Sequence, residues 1–439
     1  MLTDMSINES PVSSNHLLEL NCSELLVGMF ITELDCSWSG TPFPVDGFHV
    51  KNLEDIQFVI KHCKSVTINT NRGASPKRAK RAELTILSSA RRSAPSSKAL
   101  KVDRDAYPVT HTVKQQLDKV YSEYVELQNK FQKVADAVRE GNDLELENLD
   151  QSIAHMVGFI LANPQTLIWI LNTESAPLYR TSYCVRAAVW AAMLARQFGV
   201  PENEIRLLFS GTLLADIGLH LLPGRLVNKQ GRFRKKEFLA YRKHVEFGLE
   251  LLSQHPELDD RIVRIVRCHH ERHDGLGFPR GIQGEQLASL SRFANLAFCF
   301  ERLLYTNIAQ RRVSPANAIA RLYKQRELKF PEQFVVEFIQ VMGMYPVGSV
   351  IELNTGELAL VLEQNEHERL SPSVAVITDA DKAILDKPEL IDLASQQESN
   401  GIRSVSCSAD IQNLQLPLDD YRFRFFGKKL GLGLLSIRI

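Results

Sequence analysis

Cys268-His269-His270-Glu271-Arg272-His273-Asp274-Gly275-Leu276-Gly277-Phe278-Pro279-Arg280-Gly281 decides how the rest of the chain is read. Two adjacent imidazoles close an apolar-periodic run that ends at Cys268, and acids follow at Glu271 and Asp274. Glycines and a proline then punctuate the chain from Gly275 to Gly281. Imidazole and carboxylate groups are ligands for transition metals, and Gly/Pro punctuation makes a loop of restricted shape. The stretch therefore reads as metal ligands at the mouth of a helix, with a rigid loop beside them.

Around this stretch, from about Leu144 to Leu328, apolar residues recur at helical spacing. Breaks fall at Pro164, Gly199-Val200-Pro201, Pro223-Gly224 and Pro256. No alternating strand pattern interrupts the run, which argues an all-α domain. Ahead of it, Val113, Leu117, Val120, Tyr124, Leu127, Phe131, Val134 and Val138 alternate spacings of four and three. Such a stripe suits a coiled-coil seam between two chains or a groove within one. Two readings follow: a dimerising signalling helix, or a helix packed by one face onto its own domain.

Bulk properties bound the function. The 439 residues are 44% apolar and 24% charged, with zero formal net charge. These are the proportions of a globular protein, and they exclude whole-molecule electrostatic binding of nucleic acid. The seven cysteines form no Cys-x-x-Cys pair and read as reduced thiols of a cytosolic protein. No apolar run reaches transmembrane length, and Met1–Asn15 lacks a signal pattern, so a cytoplasmic protein is expected.

Residues 1–16 read as a disordered leader and 17–71 as a small α+β module. That module has a short strand near Met29–Ile31, aromatic core from Trp38, Pro42, Phe43 and Phe48, a helix over Leu53–Cys63 and a closing strand at Val66–Ile68. Residues 72–108 form a basic linker; Arg72–Arg104 holds ten Lys/Arg against Glu83 and Asp103. It reads as a solvated connector or as a tether to an anionic surface. The heptad-patterned helix takes 109–143, the helical domain 144–345, a β-hairpin extension 346–380 and a weakly patterned tail 381–439. The aromatic, basic end Tyr421–Lys429 suits a docked strand or short helix, or a surface for protein or lipid.

The opening stretch closely resembles the HHExxDGxGYP signature of HD-GYP domains, the bacterial cyclic di-GMP phosphodiesterase family. Residues 17–71 resemble the small domain of unknown function often found upstream in one class of these proteins. Trp38-x-x-x-Pro42-Phe43 and Gly47-Phe48 carry that likeness. The resemblance implies a mainly α fold: an HD-type helical domain, a small N-terminal α+β module and a short C-terminal β-hairpin extension.

The family's metal ligands can be followed position by position. Its LLHDIGK-like run matches Leu213-Leu214-Ala215-Asp216-Ile217-Gly218-Leu219, which keeps Asp216 but has Ala215 for the histidine and Leu219 for the lysine. Tyr183 stands at the helical histidine position and Tyr179 at the glutamate one turn earlier. His244 keeps the isolated histidine, His269 and His270 keep the doublet, and Phe298 replaces the last aspartate. The resemblance thus implies one metal position, held by Asp216, His244, His269 and His270. Where the other metal's ligands would be, Tyr183, Ala215 and Phe298 make an apolar plug.

Such a site would take one divalent Fe, Mn, Zn or Ni ion, or none. His220, His273 and Glu301 are close enough in sequence to offer substitute ligands. The loop keeps Gly275, Gly277 and Pro279, with Phe278 for tyrosine. In the family this loop lies beside the active site and is implicated in contacts with GGDEF-type cyclases. Glu271 and Asp274 read as anchors of the loop and helix end. Lys229 lies in a stretch resembling the family's NKPGxLTxxE turn, and reads as a phosphate contact or a solvated surface residue.

The leading expectation is a degenerate HD-GYP protein of cyclic di-GMP signalling, a nucleotide- or partner-binding regulator with little or no phosphodiesterase activity. The alternatives are an active metal-dependent phosphodiesterase with an altered or mononuclear site, and a dimeric scaffold docking cyclases. Cyclic di-GMP, a GGDEF-type cyclase and a second copy of the chain are the expected partners.

Overall fold

The computed structural model describes residues 17–26, 28–35, 47–50, 53–70, 100–174, 180–229, 231–305, 313–365, 368–396, 402–409, 411, 414 and 416–426. The chain divides into two compact units, Met1–Lys98 and Ala99–Ile439.

In the first unit β1 (Leu17–Asn21), β2 (Phe30–Leu34), β3 (Phe48–His49) and β4 (Ser65–Asn69) form an antiparallel sheet of order β1-β4-β2-β3. The sheet and α1 (Leu53–His62) bury Met29, Ile31, Phe48, Val59, Val66 and Ile68. Trp38, Pro42 and Phe43 lie outside the described residues, as do residues 1–16 and most of the basic linker. Cys63 is disulfide-bonded, which corrects the expectation that every thiol is reduced. The absence of a Cys-x-x-Cys pair says nothing about two cysteines that the fold brings together. Cys22, Cys184, Cys268, Cys299 and Cys407 are free.

The second unit is built on α2 (Val113–Glu140). Thr112 and Gln115 form a reciprocal capping box at its start, and Gly141 ends it in the left-handed conformation. The four-three stripe is spent inside this unit. Leu117, Val120, Tyr124, Leu127, Phe131, Val134 and Val138 are all buried in the main core. The helix packs on α3 (Glu147–Ala162), α4 (Pro164–Thr173) and α5 (Arg180–Gln197). A dimer through this stripe would need a face that the helical core already occupies, so the intramolecular reading is the one the fold adopts.

α6 (Glu202–Leu214) and a 3-10 turn (Ile217–Leu221) follow, then α7 (Gly224–Val227), α8 (Lys235–Arg242), α9 (His244–Leu252) and α10 (Asp260–Cys268). Next come α11 (Ser289–Leu303), α12 (Pro315–Tyr323) and α13 (Glu332–Met342). No single helix among the described residues is long and apolar enough to cross a membrane.

Beyond the helices the chain differs from a hairpin plus tail. β5 (Val350–Leu353), β6 (Leu358–Glu363) and β7 (Ser373–Thr378) continue into β8 (Ile384–Asp392) and β9 (Val405–Ser408). The result is an antiparallel sheet of order β8-β7-β6-β5-β9. The two added strands are its edges. β8 is mostly exposed and carries Lys387 and Pro388, residues that blunt a sheet edge and erase the alternating apolar signal. The chain then returns to the helices as α14 (Leu418–Arg424), which buries Tyr421 and Arg422.

Candidate metal centre

Three chain breaks bring the centre together. Asp216 sits between α6 and the 3-10 turn, His244 opens α9, His269 caps α10, and His270 follows it. One ligand atom from each lies within 4.8 Å of all the others. His244 Nε2 is 3.2 Å from both His269 Nε2 and His270 Nε2. Asp216 Oδ1 is 3.3 Å from His269 Nε2 and from His244 Nε2.

The far nitrogens explain why these atoms point inward. His244 Nδ1 is 2.6 Å from the Tyr241 carbonyl, and His269 Nδ1 is 2.7 Å from the Val266 carbonyl. A carbonyl only accepts, so each Nδ1 carries the hydrogen and donates. In the neutral rings Nε2 is therefore the lone-pair nitrogen. Two lone pairs facing across 3.2 Å repel unless a cation lies between them. Three imidazole nitrogens with one carboxylate are a donor set that fits a divalent transition metal.

Electrostatics keep the donors in the ligating form. Burial alone would raise the Asp216 carboxyl; positive charge at the imidazole nitrogens around it, a proton on His269 Nε2 first, outweighs burial and holds it below the usual carboxylate range. Burial, with the neighbouring His269, pushes His270 well below an ordinary imidazole, so the ring stays neutral.

Backbone contact sets the spacing between Asp216 and His244. A Cβ on Gly218 would lie 2.1 Å from the His244 carbonyl oxygen and 2.5 Å from Gly248 N. Only glycine lets the 3-10 turn approach α9 this closely. α10 is started by Asp259, whose side chain caps Arg261 N at 2.8 Å.

The loop after His270 is tied at every turn. The buried Glu271 carboxylate accepts from Arg280 N at 2.7 Å and Ile282 N at 2.9 Å. Asp274 accepts from Leu276 N and Arg272 Nε, both at 3.0 Å. Gly275 has φ +74, and a Cβ on Gly277 would meet Arg272 N at 2.5 Å. Phe278 N donates to the His270 carbonyl at 3.2 Å. The Phe278 ring stacks on His270 with centroids 4.3 Å apart, and Arg242 lies over the Phe278 ring 5.0 Å from its centroid. Arg242 Nη2 also donates to the Pro279 carbonyl at 3.2 Å.

The opposite flank is apolar. Ala187, Ala215 and Phe298 form one buried cluster with Tyr183 packed on it. The Tyr183 hydroxyl donates to the Phe298 carbonyl at 2.9 Å, and the Phe298 ring is 5.5 Å from His269. Burial pushes the Tyr183 phenol well above its ordinary range, so it remains a protonated donor, not a phenolate ligand. Tyr179 lies outside the described residues.

The substitute ligands raised by sequence are not in the centre. Glu301 is buried the other way, pairing with Arg186 and accepting from Trp190 Nε1, each at 2.7 Å. His220 Nδ1 is 3.3 Å from Arg139, and His273 backbone N donates to the Lys329 carbonyl at 3.0 Å. Lys229 is paired with Glu237, so its charge is already neutralised. Sequence reading missed Ala187, although it stands four residues from Tyr183 on one helix, and Arg302, which no motif marks.

Comparison with known proteins adds the family. Residues 165–332 match the HD domain, residues 17–149 a domain of unknown function (DUF3391), and residues 350–413 a KOW domain associated with HD domains. The chain carries an HD domain. Its HD domain thus contains Asp216, His244, His269 and His270. A cyclic di-GMP phosphodiesterase of Pseudomonas aeruginosa is 24% identical over 389 residues, 88% of this chain and 91% of the relative. A 3'3'-cGAMP-specific phosphodiesterase of Vibrio cholerae is 25% identical over 180 residues, 37% of this chain and 34% of the relative. A cyclic di-GMP phosphodiesterase response regulator of Xanthomonas campestris pv. campestris is 27% identical over 177 residues, 38% of this chain and 47% of the relative. Among solved structures, an HDG"Y"P protein from Bdellovibrio bacteriovorus aligns with TM-score 0.44 at 18% identity, covering 74% of this chain and 99% of that one.

Proposed function

We propose that this HD-domain protein acts in cyclic di-GMP signalling as a binder of the nucleotide, through a centre built for one metal, with little or no hydrolysis. The observation that carries the reading is the division of the centre. Three imidazoles and a carboxylate converge on one side, and Tyr183, Ala187, Ala215 and Phe298 fill the other.

Asp216, His244, His269 and His270 would hold the ion, which when bound supplies Lewis-acid polarisation of a phosphoryl oxygen. The residues around it do separate work. The Nδ1 bonds of His244 and His269 aim their Nε2 atoms inward, and Asp216 stays ionised beside them. Phe278 and Arg242 roof His270 and limit water there. Efficient phosphodiester cleavage in two-metal sites uses both ions to stabilise the attacking and leaving oxygens. On the flank of His269 the nearest groups are an aromatic ring, two alanine methyls and a protonated phenol, none of which ligates a second ion at neutral pH.

A second reading has its own support, because the relative aligned along 88% of this chain is named a cyclic di-GMP phosphodiesterase. In that case a single ion suffices for turnover. Metal stoichiometry, cyclic di-GMP affinity and hydrolysis should be measured together after anaerobic loading with Fe or Mn. About one ion per chain, measurable binding and no turnover is the expected outcome. Turnover that disappears in His269→Ala would replace the binder by the mononuclear enzyme. Protein that takes up no metal and no nucleotide would remove both.

A further inference from the structure

Arg302 lies one helical turn beyond Phe298 on α11, so the two side chains share a face. It is exposed, and among the described residues no carboxylate pairs with it. Its recorded contact is Nη2 to Cys299 Sγ at 3.8 Å. Cys299 Sγ is 3.3 Å from Gln325 Oε1, which in turn accepts from Lys329 Nζ at 2.7 Å. Lys329 is half-buried, and its partner there is a neutral amide. The nearby Arg272 is already spent on Asp274.

Contacts link Arg302 to both neighbourhoods: one turn before it on α11 the Phe298 ring lies 5.5 Å from His269, and through Cys299 and Gln325 it is connected to Lys329. Two cations without a carboxylate partner among the described residues thus lie in one chain of contacts beside the centre. Like charges in a partly desolvated setting repel, and an anion between them removes that cost. Arg302 also stands where the apolar flank ends, beside the half of the centre that lacks ligands.

We infer that Arg302 and Lys329 form an anion site next to the metal centre, and that it takes a phosphate of the bound phosphodiester. The guanidinium there supplies, as a hydrogen-bonding cation, positive charge that a second ion cannot supply on this flank. The inference rests on the reading of the centre as the nucleotide-binding site, but it is tested separately by a second probe.

Full-length protein loaded with Mn should be titrated calorimetrically with cyclic di-GMP and, separately, with inorganic phosphate. The variants are Arg302→Gln, Arg302→Lys and Lys329→Gln. Both probes are expected to bind wild type, and Arg302→Gln should weaken each about 10- to 100-fold, the range for a charge-assisted hydrogen bond. Arg302→Lys should recover part of the loss, because it keeps the charge. Metal content and melting temperature should be unchanged, since the side chain is exposed. Phosphate binding that depends on Arg302, with no cyclic di-GMP binding, would keep the anion site and remove the nucleotide reading. Cyclic di-GMP binding undiminished in Arg302→Gln would keep the nucleotide reading and overturn the anion site. Wild type that binds neither probe would overturn it as well.

Discussion

Adding one methyl group at Gly218 should disable the metal centre without touching a ligand. The substitution Gly218→Ala places a Cβ 2.1 Å from the His244 carbonyl oxygen, 2.5 Å from Gly248 N and 3.0 Å from the His244 carbonyl carbon. All three are backbone atoms, so no rotamer change relieves the contact. The 3-10 turn and α9 must separate by roughly 1 Å, whereas ligand distances in a metal site tolerate only about 0.2 Å. His244 then moves away from Asp216 and His269, each now 3.2–3.3 Å from its Nε2. Overpacking of this kind costs about 1–3 kcal/mol of stability. Misplacing one ligand should weaken metal binding by at least the roughly 10- to 100-fold seen when ligand-orienting contacts are lost. Competition against a chelator gives the affinity, and urea denaturation of metal-free protein gives the stability. Gly158→Ala is the control: it lies exposed in α3 with nothing within 4 Å of its Cβ, and should stabilise by about 0.5–1 kcal/mol. Gly218→Ala with wild-type metal affinity and stability would refute the claim that this crossing positions His244.

Leu127→Asp should unfold the helical unit, because Leu127 is fully buried and a carboxylate there has no partner; a loss of more than about 4 kcal/mol is expected. A stable, folded monomer in sedimentation and circular dichroism would instead restore the stripe as a dimer seam. Glu301→Ala should cost about 3–5 kcal/mol in chemical denaturation by leaving the buried Arg186 short of its partner, and an unchanged midpoint would contradict that. Asp259→Asn keeps the cap of α10 but removes the charge paired with Arg261. The hydrogen bond from Arg261 holds Asp259 down at about 2, from 3.8. Its folded value is depressed, so its contribution is complete above pH 4 and is lost as pH falls towards 2. After allowance for solvent screening the variant should lose about 1 kcal/mol at pH 7. The difference from wild type should shrink as pH falls through about 2 and vanish below it, and a gap of equal size there would exclude the ionic origin.

How much was legible beforehand follows from what each signal encodes. The convergence of Asp216, His244, His269 and His270 was legible because a candidate ligand set requires particular side chains, and those residue types stand at the matched positions. That positions 215 and 298 carry side chains unable to ligate was legible for the same reason. Their packing with Ala187 into one cluster needed the fold, since it joins three helix segments. The stripe on α2 announced an apolar face but not its partner, because a seam between chains and a groove within one have the same spacing. β8 and β9 were hidden because edge strands bury little, and Pro388 speaks against a strand until it is seen to lie at the edge. Lys229 looked available for a phosphate because its pairing with Glu237 depends on side-chain geometry in the turn before α8.

The last short helix alters what a boundary means in this chain. The sheet leaves the helices where Asn172 Nδ2 donates to the Val347 carbonyl at 2.8 Å. The chain comes back where Trp169 Nε1 donates to the Arg422 carbonyl at 3.0 Å and Arg422 Nη2 to the Thr173 carbonyl at 2.8 Å. Both moorings are on α4, and Phe425 and Phe426 close over Trp169 beside them. The sheet is therefore a loop thrown out from one helix and refastened to it, not a pendant module. A chain cut after β9 would lose part of the helical interior, and a load applied to the sheet would be borne at α4.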